Sequence, residues 1–68
     1  MARDLARDQK MFNCSQEHEV AYVASLYPGN ETPVRAVIEQ GCKMGELKNF
    51  THVKVYEYIQ QKTGLAPA

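Results

Sequence analysis

The sequence predicts an all-α fold, a small domain of three short helices preceded by a mobile N-terminal arm. Three observations carry this. Val20, Val23, Ala24 and Tyr27 recur at the i, i+3, i+4, i+7 spacing of one helix face. Thr32-Pro33 is an N-cap residue followed by the first-turn position that proline fits. Thr51 and Gly64 bracket a segment with a capping residue at one end and a helix-ending glycine at the other. The expected organisation is an arm over residues 1–11, a domain over 12–65 and a free tail over 66–68.

The arm, MARDLARDQKM, places Arg3/Arg7 and Asp4/Asp8 four apart, and these like-charge pairs weaken any helix there. Only Leu5 and Met11 offer apolar surface, so the arm is expected to be frayed. Helix one is expected to start at Asn13 or Ser15, whose side-chain oxygens can accept from first-turn amides. Glu17 and Glu19 suit the positive end of its dipole, and Phe12 is placed to fold back as a hydrophobic staple. Pro28-Gly29 ends it, because proline cannot continue the hydrogen-bond ladder and glycine accepts left-handed geometry.

Helix two presents Val34, Val37 and Ile38 inward and Arg35 and Glu39 outward, and Gly41 reads as its terminator after about two turns. Residues 42–50 read as a loop around Gly45. Cys42, Met44, Leu47 and Phe50 either turn inward or leave an exposed contact patch. Helix three is expected over His52 to Thr63, with Val53, Tyr56, Ile59 and Gln60 on one side. The competing strand pattern of Val53, Val55, Glu57 and Ile59 puts a glutamate on the apolar face, whereas the ending QQKTGL is helical.

Residues Phe12-Asn13-Cys14-Ser15-Gln16-Glu17-His18-Glu19-Val20-Ala21-Tyr22, with Ala36-Val37, Gly41 and the closing Val53–Ile59 segment, resemble a family of small bacterial domains of three short helices. Those domains open with an apolar-Asn pair and carry Glu-Val-x-Tyr and Ala-Val-x-x-x-Gly. The resemblance spans about residues 12–59. The chain departs from it at Val23, where the family tends to have tryptophan, and in the longer link over 42–50. It implies a fold and brings no catalytic residue, since the family has no established activity.

A domain of 68 residues buries only about 60% of the surface its unfolded chain exposes, so its stability margin is thin. The N-terminus has no apolar run that could serve as a signal-peptide core, and no segment approaches the ~20 apolar residues of a membrane span. A cytoplasmic setting follows as the expectation, with Cys14 and Cys42 as reduced, buried small residues rather than a disulfide. Asn30-Glu31-Thr32 and Asn49-Phe50-Thr51 match the glycosylation pattern without a secretory context.

Catalysis is not expected. Cys14 and His18 are one turn apart, but nothing supplies an oxyanion hole or an orienting third group. As zinc ligands, Cys14-x₃-His18 is a plausible half site, whereas Cys42 and His52 are unpaired. Gly41 and Gly45 lack the context of a phosphate loop, so no cofactor is expected.

Two binding readings are left. Helix, corner and helix suggest a helix-turn-helix DNA reader, yet Asn30, Glu31, Thr32, Arg35 and Glu39 would offer phosphates two carboxylates; His52, Lys54, Tyr58 and Lys62 of helix three are better placed. The net charge is zero, with an acidic stretch at Glu17, Glu19, Glu31 and Glu39 and a basic one at Lys43, Lys48, Lys54 and Lys62. Protein binding is the preferred reading, through Tyr22, Lys54, Tyr56, Tyr58 and Lys62, because tyrosine is enriched at interfaces. This expectation requires at least one of Tyr22, Tyr56 and Tyr58 to be more than half exposed. The uneven charge also suits self-association.

Overall fold

A computed structural model describes residues 5–68. Their helices are α1 (Leu5–Asp8), α2 (Glu17–Ser25), α3 (Glu31–Lys43) and α4 (His52–Thr63). The expected all-α class holds, with the three expected helices as α2, α3 and α4 and an additional turn, α1, in the arm. No helix among the described residues is long and apolar enough to cross a membrane.

The inward face of α2 is the expected one: Val20, Val23 and Ala24 are buried. Its start is later than expected. Asn13 Oδ1 accepts from the Ser15 amide at 3.0 Å, and the Asn13 amide donates to Glu19 Oε1 at 2.8 Å. The polar residues therefore build the turn that leads into the helix instead of capping it. Tyr27 lies beyond the last residue of α2 and is still buried.

α3 is longer than two turns at both ends: it starts at Glu31 after Asn30, so Thr32 lies inside its first turn instead of capping it, and Gly41 does not end it. Gly41 lies inside the helix and is buried. Termination falls to Gly45, whose φ is +76°. The Gly45 amide donates to the Cys42 carbonyl at 3.1 Å and the Glu46 amide to the Gly41 carbonyl at 2.9 Å, the bond pair of a Schellman motif. The loop then splits: Leu47 enters the core, Phe50 is half-buried and Met44 stays exposed.

α4 has the expected ends. Thr51 accepts from the Lys54 amide at 3.3 Å, and Gly64 takes the left-handed conformation. Its inward face is shifted from the expected one: His52, Val55, Tyr56 and Ile59 are buried, while Val53 is exposed. Burying His52 is tolerable because its backbone amide and its Nδ1 both donate to the Lys10 carbonyl, at 3.0 and 2.9 Å. A carbonyl can only accept, so the ring proton on that side sits on Nδ1.

The expectation of a frayed arm is overturned for residues 5–11; residues 1–4 lie outside the described residues. Asp8 is buried, and Tyr56 donates its hydroxyl to Asp8 Oδ1 at 2.9 Å. Lys10 meets His52, Met11 bridges to Thr51, and the Phe12 amide donates to the Phe50 carbonyl at 2.8 Å. These contacts make a strap across the start of α4. Phe12 packs edge-on to His52, 5.4 Å between ring centres. The tail is not free either, since the Ala68 amide donates to the Leu26 carbonyl at 2.7 Å.

The cysteine expectation is also overturned. Cys14 and Cys42 form a disulfide, with Cα atoms 5.8 Å apart and the two residues 28 positions apart in sequence. Cys14 is exposed and Cys42 half-buried. The bridge staples the turn ahead of α2 to the last turn of α3, a cross-link suited to a domain too small for a large core.

Candidate interaction surface

Two rows of side chains run side by side on the outer surface. α3 and the residue that caps it contribute Ala36, Gln40 and Met44 at four-residue spacing with Val37 beside them, and α4 contributes Tyr58 and Lys62 one turn apart. Glu46 closes one end from the loop. Together they line an apolar groove of about 300 Å³. Met44, 61% exposed, is its most solvent-accessible large apolar side chain.

Gly41 brings the two rows together. A Cβ there would lie 3.0 Å from Leu47 Cγ and 3.1 Å from two ring atoms of Tyr58. Tyr58 is held from several sides: its hydroxyl donates to Glu46 Oε1, Phe50 meets it edge-on at 6.5 Å, and Lys62 Nζ sits 5.4 Å from its ring centre. The bond to Glu46, followed by desolvation and the nearby negative charge, holds the Tyr58 phenol above the ordinary tyrosine range. The fold thus favours the protonated phenol. Its contribution to stability is complete below the unfolded tyrosine's value and is lost as pH rises through Tyr58's own, higher value. Titration of ring-labelled tyrosines by NMR is expected to show Tyr58 ionising above an unperturbed tyrosine. Glu46→Gln should bring it back towards the ordinary value, and no movement would refute this origin.

Of the five residues expected to bind a partner, the structure brings three together. Tyr58 and Lys62 line the groove, and Lys54 stands one turn earlier on α4, in a shallow depression with Phe50, Glu57 and Gln61 that shares Tyr58 with it. Tyr56 is buried on the opposite side against Asp8. Tyr22 is half-buried, with the Arg7 guanidinium 4.4 Å from its ring centre and His52 edge-on at 6.5 Å. None of Tyr22, Tyr56 and Tyr58 reaches half exposure, so the argument from exposed tyrosines fails. What marks this surface is an apolar groove, and Val37, Gln40 and Glu46 were not singled out for it by sequence. Gln40 had only its four-residue spacing to Met44 as a signal, Val37 read as inward-facing and Glu46 as part of a loop.

The other expected groups are placed less favourably. Arg35 pairs with Glu17 and, at 3.5 Å, with Glu39, so the cation of the corner faces carboxylates. His52 is buried and cannot reach a DNA groove. Cys14, being bridged, holds no thiolate for His18 to activate. Among the described residues, no three of His, Cys, Asp and Glu cluster as a metal site requires. Compared with known protein families, curated proteins and solved structures, the chain matches none.

Proposed function

We propose that this chain is a small non-enzymatic module that binds another protein through the α3–α4 groove. The observation that supports the reading is an apolar channel with Met44 61% exposed on its wall. Lys54 and Lys62 lie two turns apart along α4 on either side of Tyr58, and the Glu46 carboxylate is engaged by the Tyr58 hydroxyl. The fitting partner is a protein segment that offers apolar side chains to the groove and acidic groups to the two lysines. Membership of the three-helix family that residues 12–59 resemble belongs to this proposal and adds no activity to it. A cytoplasmic setting belongs to it as well, and there a disulfide is transient rather than permanent.

The test is affinity capture from host lysate after nuclease treatment, comparing the wild-type chain with Met44→Glu and Lys62→Glu. A partner retained by the wild type should be lost about tenfold or more with each variant, about 1.4 kcal/mol of binding, while the melting temperature stays near wild type. Undiminished capture by both variants would overturn the proposal. So would binding removed by nuclease and weakened by salt, which selects duplex DNA, or a dimer in sedimentation, which makes a second copy the occupant.

A further inference from the structure

We propose that Cys14 is a thiol-exchange site, the sulfur at which an external thiol or dithiol opens the Cys14–Cys42 bridge in the folded protein. The two cysteines are unequal. Cys14 is exposed and lies in a turn ahead of α2, whereas Cys42 is half-buried, lies in α3 and packs against the core. Both line an open cleft of about 530 Å³. Exchange begins with attack of a thiolate on one sulfur, so access selects the sulfur that reacts. The cleft that both cysteines line gives an attacking group room without unfolding, and the greater exposure of Cys14 directs it there. Its rim carries Lys48, which attracts a thiolate, and Asn13 and Asn49, which can hydrogen-bond the rest of the molecule. The remaining charge there, Glu19, already accepts the Asn13 amide and sits 3.5 Å from His52 Nε2.

The step balances with a dithiol as reductant. Its thiolate forms a bond to Cys14 Sγ, the Sγ–Sγ bond breaks, and the electron pair leaves on Cys42 Sγ, which takes a proton from solvent. The second thiol of the reductant, as its thiolate, then attacks its own partner sulfur and displaces Cys14 as a thiolate, which is protonated in turn. The protein bridge is reduced by two electrons and the dithiol is oxidised to a disulfide. With a monothiol the first step leaves a mixed disulfide on Cys14, and quenching with acid before a second thiol or the Cys42 thiolate attacks it keeps that species as a record of the attacked sulfur.

The experiment treats the oxidised protein with reduced glutathione under native conditions, quenches with acid and an alkylating agent, and locates the adducts by peptide mass spectrometry. The expected result is glutathione on Cys14 and alkylation on Cys42, favoured at least about tenfold over the reverse, with a rate that keeps rising in proportion to thiol concentration. Three results would overturn the proposal: adducts mainly on Cys42 or evenly divided, a rate that levels off at the global unfolding rate, or a purified protein carrying two free thiols.

Discussion

With Cys14 and Cys42 both replaced by serine, the domain is expected to lose about 3–4 kcal/mol of stability and to melt roughly 15–25 °C lower. The cross-link joins positions 28 apart, and closing a loop of that length removes a corresponding amount of chain entropy from the unfolded ensemble. The loss is large against what a core of this size supplies, seldom more than roughly 3–5 kcal/mol. The bridge thus contributes about as much as the core, and the serine variant, left with the core alone, should keep no more than roughly 3–5 kcal/mol. Thermal and urea unfolding followed by circular dichroism measure both quantities. A dithiol reductant should produce the same loss in the wild type and none in the variant. A difference below about 1 kcal/mol would show that the bridge adds little, contrary to the chain-entropy argument.

The bridge and the strap constrain the same segment from two directions. Hydrogen bonds between Asp8 and Tyr56, Lys10 and His52, and Phe12 and Phe50 hold residues 8–12 to α4 and the approach to it, while Cys14 holds the next turn to α3. Opening the bridge leaves the strap in place and frees the far side. The segments that lose the cross-link are the turn before α2 and the last turn of α3, next to Met44. If exchange at Cys14 occurs, its structural effect reaches the groove through α3 and not through α4.

The local signals in the sequence were sufficient for α4. Thr51, Gly64 and the QQKTG ending each act within one turn, and the helix occupies the expected residues. The inward face of α2 was readable for the same reason, although the helix ends at Ser25, ahead of the Pro28-Gly29 pair expected to stop it. What could not be read depends on distant partners. Asp8 looks like a surface charge until Tyr56, 48 positions away, donates to it. His52 looks outward-facing beside Val53 until the Lys10 carbonyl, 42 positions away, accepts its ring proton. Likewise, nothing near Cys14 indicates that Cys42 lies within bonding reach. The candidate surface was half legible: Lys54, Tyr58 and Lys62 share a row of α4, but Tyr22 and Tyr56 are also tyrosines and only the packing separates them.

Gly41 is the position where the two possible meanings of a glycine give opposite results, and Gly41→Val is expected to destabilise the domain by about 3 kcal/mol. As a helix terminator it would need left-handed geometry, yet positive φ among the glycines is confined to Gly29, Gly45 and Gly64. As an ordinary interior residue, its replacement by alanine would stabilise the helix by roughly 0.5–1 kcal/mol. The contacts argue against that gain. A new Cβ 3.0 Å from Leu47, 1% exposed, makes that packed side chain give by a few tenths of an ångström, and Tyr58, 3.1 Å away, is tied to Glu46. In Gly41→Ala, helix propensity and crowding oppose each other and the net change should stay within about 1 kcal/mol. Valine adds two methyl groups and branching at Cβ, so crowding wins. Urea unfolding of the two variants measures the difference, and the Tyr58 titration supplies an independent readout. In Gly41→Val the ring is pushed from its place beside Glu46, and its ionisation should fall back towards the ordinary tyrosine range. A valine variant as stable as wild type, with Tyr58 still titrating high, would mean that α3 and α4 do not meet at Gly41 and that the groove between them has another shape.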